Sequence, residues 1–102
     1  MADRRLDLQT KLEELLGSDH VYYQPPTSLK IEYDAIRYSR KAIDIKYANN
    51  SVYTDKDCYK LTVIARKPDQ PVIRKLLQLP YCSYDTNYIA DNLYHDVLTL
   101  YY

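Results

Sequence analysis

The chain has 102 residues, 46% of them hydrophobic and 27% charged, the proportions expected of one soluble globular domain with a single core. Fourteen basic residues balance fourteen acidic ones, so no overall field draws the protein to nucleic acid or to an anionic membrane. No apolar run approaches the roughly 18 residues of a membrane span, and MADRRLDLQ lacks the apolar stretch of a secretory signal, so an intracellular protein is expected.

Residues 3 to 16 read as a helix, because Leu8, Leu12, Leu15 and Leu16 form one apolar stripe at i, i+4, i+7, i+8. Asp3 is placed to cap its start and Gly17 to end it in the left-handed conformation. His20 to Gln24 is a short strand stopped by Pro25-Pro26, which donate no ladder hydrogen bonds. Leu29 to Arg40 alternates and reads as a second strand, with Ile31, Tyr33 and Ala35 on one face. From Lys41 to Asp57 the pattern loosens, and its Asn, Asp and Ser residues favour turns.

Cys58 to Arg66 is the clearest strand, its low polarity suggesting a central place in the sheet. Lys67-Pro68-Asp69 ends it, and Asp69 is placed to cap a second helix carrying Val72, Ile73, Leu76 and Leu77 on one side, with Pro71 in its first turn. Pro80 stops that helix. Two alternating runs follow, on either side of Asp91-Asn92, residues that tolerate the positive φ of a two-residue hairpin loop. The order α-β-β-β-α-β-β implies an α+β domain with a mostly antiparallel sheet and two short helices packed on it. Leu61, Val63, Leu76, Leu77, Leu12 and Leu15 are the expected core.

Few motifs carry chemistry. The single glycine, Gly17, leaves no material for a phosphate-binding glycine loop. Asp91, His95 and Asp96 lie close in sequence and fit either a metal or acid/base site or a hairpin. As a site, Asp91 and His95 share one side of a strand while Asp96 points away, so a third ligand must come from elsewhere, such as His20, whereas the hairpin needs nothing more. There is no GxSxG elbow, and neither Cys58 nor Cys82 lies near a histidine in sequence. The two cysteines form no CxxC pair, and both read as small buried thiols. No catalytic, cofactor-binding or metal-binding residue is therefore assigned, and the protein reads as a non-enzyme. The basic groups Arg4-Arg5, Arg37-Arg40-Lys41, Arg66-Lys67 and Arg74-Lys75 have acidic or turn neighbours and show no aromatic-basic platform signature, so they read as solvated or ion-paired.

Thirteen tyrosines stand without a phenylalanine or tryptophan, so every aromatic ring carries a hydroxyl. Such rings suit half-wet contacts between proteins, as well as half-exposed strands.

Three segments carry a family resemblance. LDLQTKLEELLGSDHVYYQPP resembles the start of small tailed-bacteriophage and prophage proteins, in which a helix ending in LG precedes a V-Y-x-Q-P-P strand. YANNSVYTDKDCYKLTVIARKPDQPV is similar to their Y-A-[DN]-N-x-x-Y loop, Y-x-[LV]-T-V-I strand and Pro-Asp turn. LPYCSYDTNYIADNLYHDV resembles their L-P-x-C-x-[FY]-D-x-x-[YF] segment and closing D-N-L-x-H-D, with Tyr84 and Thr86 where those proteins often carry phenylalanine or a basic residue. The resemblance implies a structural virion protein of the neck or tail, first of all a tail terminator. Such a protein forms a ring-shaped homo-oligomer, a hexamer by resemblance, that caps the tail tube and joins it to the head connector. Packaged DNA would pass through the ring without sequence-specific contact, and the protein would reside in the host cytoplasm during assembly and in the virion afterwards. Another neck or head-completion protein is the alternative, followed by a non-structural phage factor that binds nucleic acid.

Overall fold

The computed structural model describes the backbone of residues 4–48 and 51–102, and the side chains of 4–41 and 57–102. Helix α1 (Arg4–Leu16) is followed by strands β1 (Val21–Tyr23), β2 (Ala35–Ala48) and β3 (Ser51–Ala65). Helix α2 (Pro71–Leu77) and the hairpin strands β4 (Cys82–Ala90) and β5 (Leu93–Tyr101) complete the chain. The strands form one sheet in the order β1-β2-β3-β5-β4, antiparallel throughout except for β1 with β2. The fold is thus α+β, with β3 at the centre of the sheet as its apolar sequence implied.

Helix α1 ends as its sequence dictates. Gly17 has φ +78°, and the N–H groups of Gly17 and Ser18 both donate to the Glu13 carbonyl, at 2.9 and 3.2 Å. Asp3, the expected cap at the other end, lies outside the described residues. Helix α2 departs from expectation at its start. Its N-cap is Gln70, with no side-chain cap, while Asp69 sits one residue earlier at φ 57°. The proline at the first turn needs no N–H partner, which lessens the demand for a capping side chain.

Two boundaries also differ from the sequence reading. The strand expected over Leu29–Arg40 begins at Ala35, because β1 and β2 are parallel and the chain must first return across the sheet. The Gln24 N–H donates to the Tyr38 carbonyl (2.9 Å) and that of Ile36 to the His20 carbonyl (2.9 Å), fixing both ends of this connection. The turn expected over 41–57 is largely strand instead. The β2–β3 ladder runs on from Asp44↔Lys56 to Ala48↔Ser51, past the last residues paired to β1 and β5, as a two-stranded ribbon. Cross-strand pairing overrides local turn preference here, and residues 49–50 lie outside the described residues.

Both helices lie on one face of the sheet. Leu8 and Leu12 of α1 and Leu76 of α2 are fully buried against Leu61, Leu98 and Leu100 of the central strands. Leu15 and Leu77, expected in the core, pack against it while partly buried, since each lies at the border of its helix's apolar stripe. Tyr38 and Tyr59, each 1% exposed, form part of this core. The Tyr23, Tyr38 and Tyr59 rings run across three strands at centroid separations of 4.9 and 5.9 Å, with the Arg5 guanidinium 4.5 Å above Tyr23. Each buried hydroxyl reaches the rim. Tyr38 donates to Gln9 Oε1 at 2.6 Å and Tyr59 to Asp57 Oδ2 at 3.3 Å.

Three outcomes follow. Leu76→Ala, which removes a fully buried side chain, should lower the unfolding free energy by about 2–5 kcal/mol in urea titrations. Gly17→Ala should cost about 1–2 kcal/mol although nothing lies within 4 Å of the added methyl, because the penalty is the positive φ itself. Burial pushes the Tyr38 and Tyr59 phenols above their ordinary 10.0, against the pull of Arg5 and Arg40. Their contribution is full below that value and is lost as pH rises through the folded-state values. Denaturation midpoints should therefore fall as pH rises above about 10, and Tyr38→Phe should flatten the decline while costing about 1 kcal/mol at neutral pH.

Candidate functional site

The cluster from Asp91 to Asp96 is divided by the fold. Asp91 (φ 53°) and Asn92 (φ 62°) form the two-residue loop between the Ala90↔Leu93 pair that closes the β4–β5 hairpin. Both central residues at positive φ define the turn whose twist matches that of the flanking strands. His95 and Asp96 are adjacent on β5 and so face opposite sides of the sheet. His95 stacks on Tyr88, with centroids 4.6 Å apart and planes 14° from parallel, and its Nδ1 lies 3.1 Å from the Leu93 carbonyl. Asp96, on the helix side, accepts the Tyr84 hydroxyl at 2.5 Å and Tyr84 holds its proton above the ordinary phenol range through that bond.

His20 does not join them. It precedes β1 at the far edge of the sheet, with β2 and β3 between it and β5, a separation of roughly 14 Å at about 4.8 Å per strand. Its Nε2 lies 3.1 Å from Glu32. The described residues contain no group of three side chains suited to hold a metal. The cysteines are likewise apart. Cys58 pairs with Tyr101 and Cys82 with Leu100, consecutive residues of β5, so the thiols point to opposite faces and both are free. Burial raises the Cys82 thiol above its ordinary value, and Asp85 adds to the effect.

What the fold builds instead is an edge and a face. Among the described residues, strand β4 pairs only with β5 and leaves its outer backbone row open over nine residues, seven of them exposed. Tyr81 (67% exposed), Tyr84 (40%) and Ile89 (67%) lie on or beside it. An open edge of this length carrying large apolar side chains is a template for pairing with another chain. The β-bulge at Asp85, between Tyr84 and Thr86, is the one interruption in its pairing to β5. Thr86, singled out in the sequence, stands opposite Val97 just past that bulge.

The face away from the helices is different in character. Lys60 lies between Ser39 and Thr99 in one cross-strand row, Arg37 stands beside Thr62 in the next, and Ile64, His95 and Tyr88 make up the third. Arg37 and Lys60 are exposed, and neither forms an ion pair with a described residue. Ile64 and Val97 on this face are nonetheless 4% and 5% exposed, because longer neighbours lie over them. The basic groups of the sequence are therefore dispersed. Arg5 lies over Tyr23 and Arg40 pairs with Asp57 at 3.2 Å, while Arg37 stands on the open face with Lys60. Nothing local in the sequence joins Arg37, Lys60, Tyr88 and His95, which come from four separate strand positions and meet only through register.

No protein-family model matches the chain, and neither the curated proteins nor the solved structures include a match.

The reading of Asp91-Asn92 as a turn has a direct consequence. Asn92→Gly, which relieves a side chain held at positive φ, should raise stability by roughly 0.5–1 kcal/mol in thermal or urea unfolding. A loss of stability would show that the Asn92 side chain, rather than its backbone, is what the hairpin uses.

Proposed function

We propose that this protein is a structural subunit of a tailed-bacteriophage virion, acting as the tail terminator: a ring of copies that caps the tail tube and joins it to the head connector. The observation that carries this reading is the open β4 edge with Tyr81, Tyr84 and Ile89 exposed along it. An assembly subunit keeps such an edge for its neighbours, whereas a chain that works alone covers or charges it. The three resembling segments supply the choice of phage and of tail. The hydroxyl-bearing rings support it as well, since a surface that is dry in the ring must stay soluble before assembly, and tyrosine serves both states.

The ring itself follows from size. A single 102-residue domain is too small to cap a tube many times its own width, so the task requires repetition about the tube axis. One edge of each copy then meets a different surface of the next, a head-to-tail contact that closes by rotation. The two helices, on the face they cover, stabilise each copy independently of that contact.

Imaging of intact particles should place about six copies in a single layer between tube and connector. Copies stacked in many layers along the tail would make this a tube protein, and absence from mature particles would end the structural reading. Ile89→Lys should block incorporation into the layer while changing the stability of the isolated chain by no more than about 0.5 kcal/mol, since the side chain is exposed there.

A further inference from the structure

The face of the sheet opposite the helices carries a second surface, independent of the ring. We infer that this face binds a single strand of nucleic acid without sequence preference, with a base stacked on Tyr88 and the phosphates held by Arg37 and Lys60. Tyr88 is the platform. One side of its ring is backed by His95 at 4.6 Å, nearly parallel, and the residue is 49% exposed, which leaves its other side open to a base. The imidazole is itself set in place by Nδ1 donating to the Leu93 carbonyl at 3.1 Å. A ring fixed from behind and bare in front offers a base a stacking surface at little ordering cost.

The cations stand where the backbone of such a strand would run. Arg37 on β2 faces Thr62, and Lys60 on β3 faces Ser39, so the two are diagonal neighbours on adjacent strands. With Tyr88 and His95 they line a shallow cavity of about 210 Å³. From Arg37 on β2 to Tyr88 on β4 is three strand spacings, roughly 14 Å, room for a short extended run of nucleotides. Two carboxylates near the borders of the face are engaged by neighbours. Glu32 lies against His20 at 3.1 Å, and Asp85 accepts the Thr99 hydroxyl at 2.5 Å. Arg37 and Lys60, without an ion-pair partner among the described residues, thus face solvent beside the hydroxyl groups of Ser39 and Thr62, a surface complementary to phosphates.

The same features select the occupant. A protein partner seated here would need a broad exposed apolar area, but Ile64 and Val97 are almost fully buried, and three of the exposed large apolar side chains, Tyr81, Tyr84 and Ile89, lie along the β4 edge. A duplex hides its bases and gives the Tyr88 ring nothing to stack on. A single strand uses ring, cations and hydroxyls together.

Fluorescence anisotropy with an end-labelled oligothymidine of about twelve nucleotides, within the range one such face spans, tests the proposal. The protein should bind it, and Tyr88→Ala should weaken binding roughly 5- to 150-fold while Tyr88→Phe binds as the parent does. Arg37→Ala with Lys60→Ala should lower the slope of log affinity against log salt by about 1.4, two phosphate contacts on a single strand. Lys75→Ala, an exposed cation on the helix side, should leave binding unchanged, as should Ile89→Lys, which separates this face from the assembly edge. No binding at about 50 mM salt, full binding by Tyr88→Ala, or a duplex of equal length bound as tightly as the single strand would each overturn it.

Discussion

One glutamine side chain ties this fold together. Gln9, on the inner side of α1, accepts the Tyr38 hydroxyl at 2.6 Å through Oε1 and donates through Nε2 to the Val21 carbonyl at 2.9 Å. It thereby joins the helix to both strands of the parallel pair, where ladder bonding is shortest and least able to hold itself. With Leu8 and Leu12 fully buried on either side of it, the amide sets the helix on one face of the sheet. Helix α2 packs on the same face beside it. The opposite face is left to solvent as a consequence, and both surfaces discussed above, edge and face, exist because the helices share a side.

The tyrosine-only aromatic set becomes physically intelligible in this arrangement. Tyr38 and Tyr59 act as core residues whose hydroxyls emerge at the rim, where Gln9 and Asp57 accept from them and Arg5 and Arg40 donate to them. No buried side-chain nitrogen or oxygen among the described residues lacks a partner. On the outside, Tyr84 and Tyr88 are exposed on β4 and Tyr81 just before it. One residue type serves a dry interior with a polar outlet and a wet exterior with an apolar body. That division is the one the proposed assembly requires, in which each copy stays dissolved before it meets its neighbours.

The helices, the central strand and the closing hairpin were all legible in the sequence, because each rests on short-range signals: a leucine stripe, one glycine, a β-branched run and an Asp-Asn turn. The misread boundaries share a different cause. The connection over 29–34 alternates like a strand, yet it is needed to return the chain to a parallel partner, a demand set by β1. The ribbon over 44–56 reads as turn because its residues favour turns singly, while pairing across the hairpin makes it strand. The candidate surfaces were less legible still. That β4 lies at the edge depends on β5 inserting between it and β3, and the meeting of Arg37, Lys60, Tyr88 and His95 depends on register across four strands. Neither is a property of any one segment.

The central claim is that the β4 edge is the surface through which copies assemble. Amide hydrogen exchange on β4, compared between the isolated chain and the chain incorporated into tails, tests it most directly. The account predicts that residues 82–90 exchange at least about tenfold more slowly in the assembled state, as their open backbone row acquires partners, while the central β3 residues 58–65, already paired on both sides, change little. Equal exchange of β4 in the two states, with protection gained elsewhere, would contradict it.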